Sequence, residues 1–473
     1  LGSVIHRRTL ALAAERNKEY KMKNRALLLV VLLLVSTLMF SVPCAADGTS
    51  RVGELDAIVD GGVEGSPPLS GLQLLVIRDG DVAYEYARGF ARLTEKGKLP
   101  LGPEHRMRIA SISKLVAAVG LMRLVEAAKV DLDKDVSEYL GFDLRNPNFP
   151  AEPITLRMIL SHTSSIRDGS AYWMEAGERF EDFFLAGRPH YDDGAHFAFG
   201  EGRGPGRFFT YSNLNFGIVA AVIERVSGQR FDRYMRSAVL EPLGLPSSYN
   251  VCDLSATQPE KVATLFRKRD ENEVWQPQGD WVPQLDHERF SCHYGREPVA
   301  RGEDPGEVLP GYVPGSNPTL FSPQGGLRAS ARDLAVIGRM LMAGGTLDGQ
   351  QILSQKSVEE MFTQQWHFDA NQVNGNTEEG TEDGRRLFAA YGLSVHVMDL
   401  EEWALSGESR IFYGHLGSAY GLMGQFWLDP ERGDALISLI SGAGDDPDAQ
   451  PGVSPMYRPS DEIMRWWLRH FPR

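Results

Sequence analysis

Hydrophobic and polar positions along the chain switch period several times. After Pro67-Pro68, the run Gly71 to Ile77 is apolar and predicts a strand. Arg78-Asp79-Gly80-Asp81 has hairpin chemistry, and Val82 to Phe90 reads as the return strand. Ahead of them, Arg51 to Asp60 patterns as a short amphipathic helix. From Ile109 to Ala128 the apolar residues Leu115, Val119, Met122 and Val125 recur at helical spacing. Asn213 to Val226 predicts a second long helix, with Ser212 and Asn213 as capping residues and Gly228 as its stop. Ala331 to Ala343 predicts a third, closed by Gly344-Gly345. Strand character returns in Tyr391–Met398, Leu422–Leu428 and Ala435–Ser441, the last two joined by a turn over 429–434. Ser460-Asp461-Glu462 opens a final helix, Ile463 to Phe471, with acids in the first turn where the helix dipole favours them.

Strands at both ends with helices between them predict an α/β (α+β) fold. An antiparallel sheet is built from the N- and C-terminal strands and flanked by helices, and a mostly helical region is inserted. The α/β part covers about 47–110 and 387–473, and the helical part about 111–386. Within the latter, about 250–320 is rich in Pro, Gly and charge and reads as a long surface insertion near the site. A second loop covers about 369–386. With 473 residues, 42% hydrophobic and 24% charged, the chain can bury a sizeable core. Its net charge of −14, with no basic cluster, argues against a nucleic-acid partner.

The N-terminus changes the picture. Lys21, Lys23 and Arg25 precede the apolar run Ala26 to Phe40, and Cys44-Ala45-Ala46 supplies small residues. This is the layout of a secretory signal over about 22–46, with Met22 as a natural start and cleavage after Ala46. The run is shorter than the roughly 20 apolar residues of a comfortable membrane-spanning helix. Residues 1–46 are therefore read as an upstream extension plus signal, 47–473 as the functional domain, and the product as periplasmic or secreted. A membrane association arises only through an uncleaved signal. Of three cysteines, Cys252 and Cys292 would remain, and an oxidising compartment permits a disulfide between them as well as two free thiols.

The candidate chemistry lies in three motifs. Ser111 and Lys114 are three residues apart at a helix start and so share one face. A serine hydroxyl needs a base to become a nucleophile. A lysine serves only if burial or a cationic neighbour lowers its pKa, and the apolar helix favours burial. Alone, the pair is weak, and Ser111 reads equally as a helix cap. Tyr211 and Asn213 bring a phenol and an amide to a loop–helix junction, able to relay a proton and hold a carbonyl or the lysine, unless Ser212 or Asn213 merely caps the helix. His415-Leu416-Gly417-Ser418 lies on or beside a late strand, where small residues permit close backbone approach. A backbone N–H there, with that of Ser111, suits an oxyanion hole.

Other polar groups point elsewhere. His162 reads as a hydrogen-bonded loop histidine. His190, Asp192, Asp193 and His196, and likewise Asp286, His287 and Glu288, read as surface loops without metal-ligand periodicity. Trp173 and Trp281 are candidates for lining a cleft. No Gly-x-Ser-x-Gly elbow, His-Glu-x-x-His or phosphate loop occurs, and no metal or cofactor is expected.

The ordered motifs, with Arg108 to Lys114, Ile159 to Ser164, Gly325 to Leu334 and Gly414 to Gly421, resemble the serine β-lactamase and DD-peptidase superfamily. The branch holding class C β-lactamases, DD-carboxypeptidases and esterases of that fold is the most similar. The resemblance implies an acyl-enzyme on Ser111, proton work shared by Lys114 and Tyr211, and substrate orientation by Asn213. It further implies an oxyanion hole from the N–H groups of Ser111 and Ser418, and places His415 where a lysine is usual. Leu416 also stands where that family has threonine. Histidine is only partly charged near neutral pH, and leucine has no hydroxyl, so capture of a substrate carboxylate is weakened. The expected partner is a small-molecule ester, amide or D-peptide. The alternatives are a DD-carboxypeptidase of cell-wall peptides and a non-catalytic penicillin-binding-like sensor.

Overall fold

A computed structural model describes residues 46–62, 66–270, 272–286, 291–294, 297–300, 312–376, 386–448 and 452–472. The signal segment up to residue 45, with Cys44, and His287 and Glu288 lie outside the described residues. The chain divides into two units, Leu1–Glu54 and Leu55–Arg473. Of the first, residues 46–54 are described and are helical, part of α1 (Ala46–Asp60). All that follows concerns the second.

Its frame is a nine-stranded antiparallel sheet. The strands are β1 (Gly71–Arg78), β2 (Asp81–Thr94), β3 (Gly97–Pro100), β4 (Trp366–His367), β5 (Ala390–Tyr391), β6 (His396–Asp399), β7 (Ile411–Ala419), β8 (Leu422–Asp429) and β9 (Asp434–Ile440). The order is β4-β5-β6-β7-β8-β9-β1-β2-β3, so the first strand pairs with the last and the sheet joins the two termini. Apart from Gln73 and the terminal Arg78, β1 is apolar because both faces are covered. Leu72, Leu74 and Val76 join the cluster of Ile463, Trp466 and Trp467 from the final helix, α5 (Arg458–His470). Leu75 and Ile77 face the main core with α2 (Ile112–Glu126) and α4 (Ala331–Met342). Gln73, buried in β1, donates to Gly102 O and His105 O and accepts from Ala331 N–H.

α2 is apolar on every side and buried from Ile112 to Met122, the pattern of a central helix. It packs on α3 (Leu214–Ser227), which ends at Gly228 with φ of 71°. This is how a lysine enters the interior: Lys114 belongs to a helix whose neighbours are all core. α2 also meets the sheet through two opposed glycines, Gly417 on β7 and Gly424 on β8. A Cβ on Gly417 would lie 2.5 Å from Ile109 O, and one on Gly424 2.9 Å from Ile112 Cδ1.

Several expectations need correction. The segment Tyr391–Met398 is two strands, broken at Ser394, whose φ is 62° and whose N–H bonds Leu160 O. The final helix begins at Arg458 with Pro459 in its first turn, so Ser460-Asp461-Glu462 lies inside it. The stretch 250–320 is not simply surface loop. Leu265–Arg267 pairs in parallel with Gly442–Ala443 and antiparallel with Val282–Leu285, and Leu265 and Phe266 are buried. Cys252 is disulfide-bonded, and its helix Val251–Thr257 packs against Ser291–Tyr294, the strand that carries Cys292. Among the described residues no helix is long and apolar enough to cross a membrane.

The glycine contact is testable. Gly417→Ala forces β7 away from the turn that precedes α2, and overpacking of this kind costs about 1–3 kcal/mol. The thermal midpoint is expected to fall by a few degrees; an unchanged midpoint would show that the strand retreats freely.

Candidate active site

Arg108 ends a two-residue strand, Met107–Arg108, paired with Arg328–Ala329. The chain then passes through Ala110, whose φ of 46° lies in the left-handed region that L-residues seldom occupy. This tight turn delivers Ser111 to the tip of α2. The hydroxyl of Ser111 does not cap the helix. It accepts a hydrogen bond from Lys114 Nζ at 2.9 Å, so the helix-cap alternative fails. Ser113 is turned away and accepts Leu327 N–H at 3.1 Å.

Lys114 is fully buried. Its amine faces Ser111 Oγ at 2.9 Å, Asn213 Oδ1 at 2.8 Å and Gln324 O at 3.0 Å. The Asn213 amide cannot be reversed, because its Nδ2 donates to Asp168 Oδ2 at 2.8 Å, and a carboxylate only accepts. Burial pulls the Lys114 pKa from 10.5 down to about 7, against the attraction of Asp168 and with the help of Arg108. A neutral amine carries two N–H bonds and one lone pair. Asn213 Oδ1 and Gln324 O can only accept, so they take the two N–H bonds. The lone pair is left to face Ser111, the one partner whose O–H can donate. Loss of the lysine proton therefore creates the base that the serine needs.

Tyr211 lies over this amine, with its ring centre 4.8 Å from Nζ. Its ring is stacked on Phe388 at 5.1 Å and lies 4.4 Å from that of His162. His162 is buried and accepts at Nδ1 from Ser212 N–H at 3.1 Å. Burial, foremost, and Lys114 hold its pKa well below the usual imidazole value. It is a hydrogen-bonded loop histidine that supports the Tyr211 loop. The capping expectation is overturned: Asp168 accepts from Ser212 Oγ at 2.8 Å and Leu214 N–H at 3.0 Å, so it, and not Ser212 or Asn213, caps α3.

His415 occupies the middle of β7 and is buried. Burial, and then the nearby His396, push its pKa well below the usual value. The ring is neutral, not partly charged. Nδ1 lies 2.6 Å from Leu416 O, which can only accept, so Nδ1 bears the proton. Nε2, 3.0 Å from Tyr391 Oη, must then accept from the phenol. Beyond it, β7 pairs with β8 through Ala419↔Leu422, closed by Tyr420 and Gly421 at φ 55° and 88°. In such a two-residue hairpin the flanking residues exchange both bonds, and the next N–H, that of Ser418, points off the pair. Pairing to β6 stops at Gly414, so this N–H faces the cleft.

Ser111, Tyr211, Asn213, His415 and Ser418 line one cleft of roughly 840 Å³, with Gly417 seated behind it against the turn that leads into Ser111. Tyr172, Trp173, Phe321 and Phe388 give it an aromatic wall. Trp281 does not line it and instead packs edge-on against Phe90 at 6.1 Å. Asp286 is no surface residue: its carboxylate is buried in a pair with Arg328 at 2.9 Å. His196 is also buried, bonded to His190 O at 3.1 Å, while His190 meets Glu178 at 2.9 Å. Among the described residues no group of three or more His, Cys, Asp or Glu could hold a metal ion.

Sequence reasoning missed Asp168, Gln324 and Tyr391. Gln324 acts through its carbonyl, which carries no residue signature. Asp168 and Tyr391 meet the motifs only through the fold.

Residues 55–452 match a family model described as Beta-lactamase. Esterase EstB of Burkholderia gladioli is 29% identical over 255 residues, 49% of this chain and 61% of the esterase. Penicillin-binding protein 4* of Bacillus subtilis (strain 168) is 26% identical over 176 residues, 36% of each chain. The chain thus spans about three fifths of the one and about a third of the other. EstCE1, a hydrolase with promiscuous acyltransferase activity, superposes with a TM-score of 0.59 at 19% identity, over 88% of this chain and 98% of its own. D-amino acid amidase from Ochrobactrum anthropi SV3 gives 0.56 at 20% identity, over 89% and 99%. The expected sheet-and-inserted-helix architecture is shared with these structures.

The lysine environment sets a pH profile. Activity that needs neutral Lys114 rises with pH through an apparent pKa of about 7 and levels off above it. Asp168→Asn removes the charge that raises this pKa, so the rising limb should move to lower pH as kcat falls. A limb that stays in place or moves up would remove Lys114 from the role of base.

Proposed function

The chain belongs to the Beta-lactamase family, and from that premise we propose that it is an exported serine hydrolase cleaving an ester or amide through an acyl-enzyme on Ser111. The observation that carries this reading is the arrangement of Lys114, whose lone pair is left facing the serine by two obligate acceptors. Ser111 Oγ attacks the carbonyl carbon while Lys114 takes its proton. The N–H groups of Ser111 and Ser418 receive the oxyanion. Tyr211 relays a proton to the departing oxygen or nitrogen as the bond to the acyl carbon breaks. Water then attacks the acyl-enzyme, loses its proton to the same base, and releases the acid and Ser111.

The leaving-group side disfavours an anion. His415 is neutral, its two nitrogens are occupied, and Leu416 offers no hydroxyl. This supports esters and amides over β-lactams or D-Ala-D-Ala peptides, whose recognition at this place needs a cation. An esterase and a D-amino acid amidase among the similar proteins agree with that choice. Export is supported by the segment at 22–46 and by the disulfide at Cys252, a bond at home in oxidising compartments.

A substrate panel decides among the readings. Short-chain nitrophenyl esters are expected to turn over. A chromogenic cephalosporin and a D-Ala-D-Ala peptide are expected to be poor substrates. Ser111→Ala should lower ester turnover by about 10⁴-fold or more, as loss of a serine nucleophile does elsewhere. Stoichiometric labelling without turnover would make the protein a sensor. Efficient release of D-alanine would make it a DD-carboxypeptidase.

A further inference from the structure

The cleft is charged unevenly. Among the described residues, its charged lining consists of Arg108, Arg328 and Asp286. Arg328 and Asp286 cancel in a two-pronged pair at 2.9 and 3.0 Å, both side chains buried. Arg108 has no such partner among the described residues. Its Nε donates to Gly325 O at 2.8 Å and its Nη2 to Ser322 Oγ at 2.6 Å, both neutral acceptors. The guanidinium lies over the ring of Tyr420, 5.1 Å from its centre. Among the described residues no carboxylate stands within ion-pair reach of it. Burial, and then the Arg328 charge, push its pKa down, as expected of a cation short of counter-charge. Arg267 reaches the same Tyr420 ring at 6.0 Å and adds a second positive group nearby. In a chain of net charge −14, this end of the cleft is a local positive focus.

Position gives the focus a meaning. Arg108 lies three residues before Ser111, on the side built by Ser322, Gly325 and Tyr420. Tyr211, which would serve the leaving group, sits among His162, Phe388 and His415. When the leaving group departs past Tyr211, the rest of the same cleft, Arg108 included, is left for the acyl chain. We propose that Arg108 anchors a carboxylate on the acyl portion of the substrate, so that the preferred substrates are monoesters or monoamides of dicarboxylic acids. This rests on the reading of Ser111 as the acylated nucleophile. A planar guanidinium held on one edge by Gly325 and Ser322 keeps donors for a carboxylate, and the aromatic ring beneath it fixes its plane.

The test compares mono-4-nitrophenyl glutarate and adipate with 4-nitrophenyl pentanoate and hexanoate, which replace the terminal carboxylate by methyl. With the full chain, kcat/KM is expected to favour the anionic ester of each pair by at least about tenfold, a usual size for a charge-assisted contact. The ratio should shrink as salt screens the charge. In Arg108→Gln the ratio should collapse toward one, whatever happens to the absolute rates. Equal turnover of both esters by the parent protein would overturn the proposal while leaving the hydrolase reading intact. So would an anionic preference that survives in Arg108→Gln. Turnover of neither ester would sink the hydrolase reading and this proposal with it.

Discussion

The buried amine of Lys114 is the constraint on which the rest of the site depends. A fully buried lysine can stay folded only if its charge is matched or its proton is easily lost. Here Asp168 supplies partial compensation through Asn213, and the rest is met by a pKa of about 7. Relative to its ordinary value of 10.5, that amounts to about 5 kcal/mol against protonation in the fold. Because the folded value lies below the unfolded one, the unfolded chain binds the extra proton between about pH 7 and 10.5. Stability from this group therefore rises with pH through that window, and the full cost is present below it. The same energetic burden makes the amine a usable base near neutrality.

The surroundings are arranged so that charge is scarce at one end of the cleft and concentrated at the other. Behind Tyr211, the histidines at 162, 396 and 415 are buried, and all three have pKa values pushed down, chiefly by burial. They are buried rings and not cations, and Leu416 O fixes the tautomer of His415, whose Nε2 accepts from Tyr391. Toward Tyr420 the balance tips to guanidinium.

Fold and site are joined at a few backbone positions. The turn into Ser111 needs a left-handed residue at Ala110, and the sheet must come close enough for Gly417 to pack against Ile109 O. Residues without functional groups thus hold the proposed oxyanion donors beside Ser111.

Much of this was legible in the chain. The apolar run of β1, the helical spacing after Ser111 and the late strands predicted a sheet from the two ends with helices between. The Ser111–Lys114 pair, Tyr211 with Asn213, and His415 to Ser418 were visible as motifs because their chemistry and spacing are local. The strand break at Ser394, the capping of α3 by Asp168, the buried Asp286–Arg328 pair and the neutrality of His415 were not. Each depends on a partner distant in sequence, or on how completely water is excluded. Sequence by itself determined which groups are present and which elements carry them. Only the tertiary structure decided which groups are dry, which way each proton points, and that Arg108 faces the cleft with no carboxylate among the described residues in ion-pair reach, because burial and hydrogen-bond direction belong to packing and not to composition.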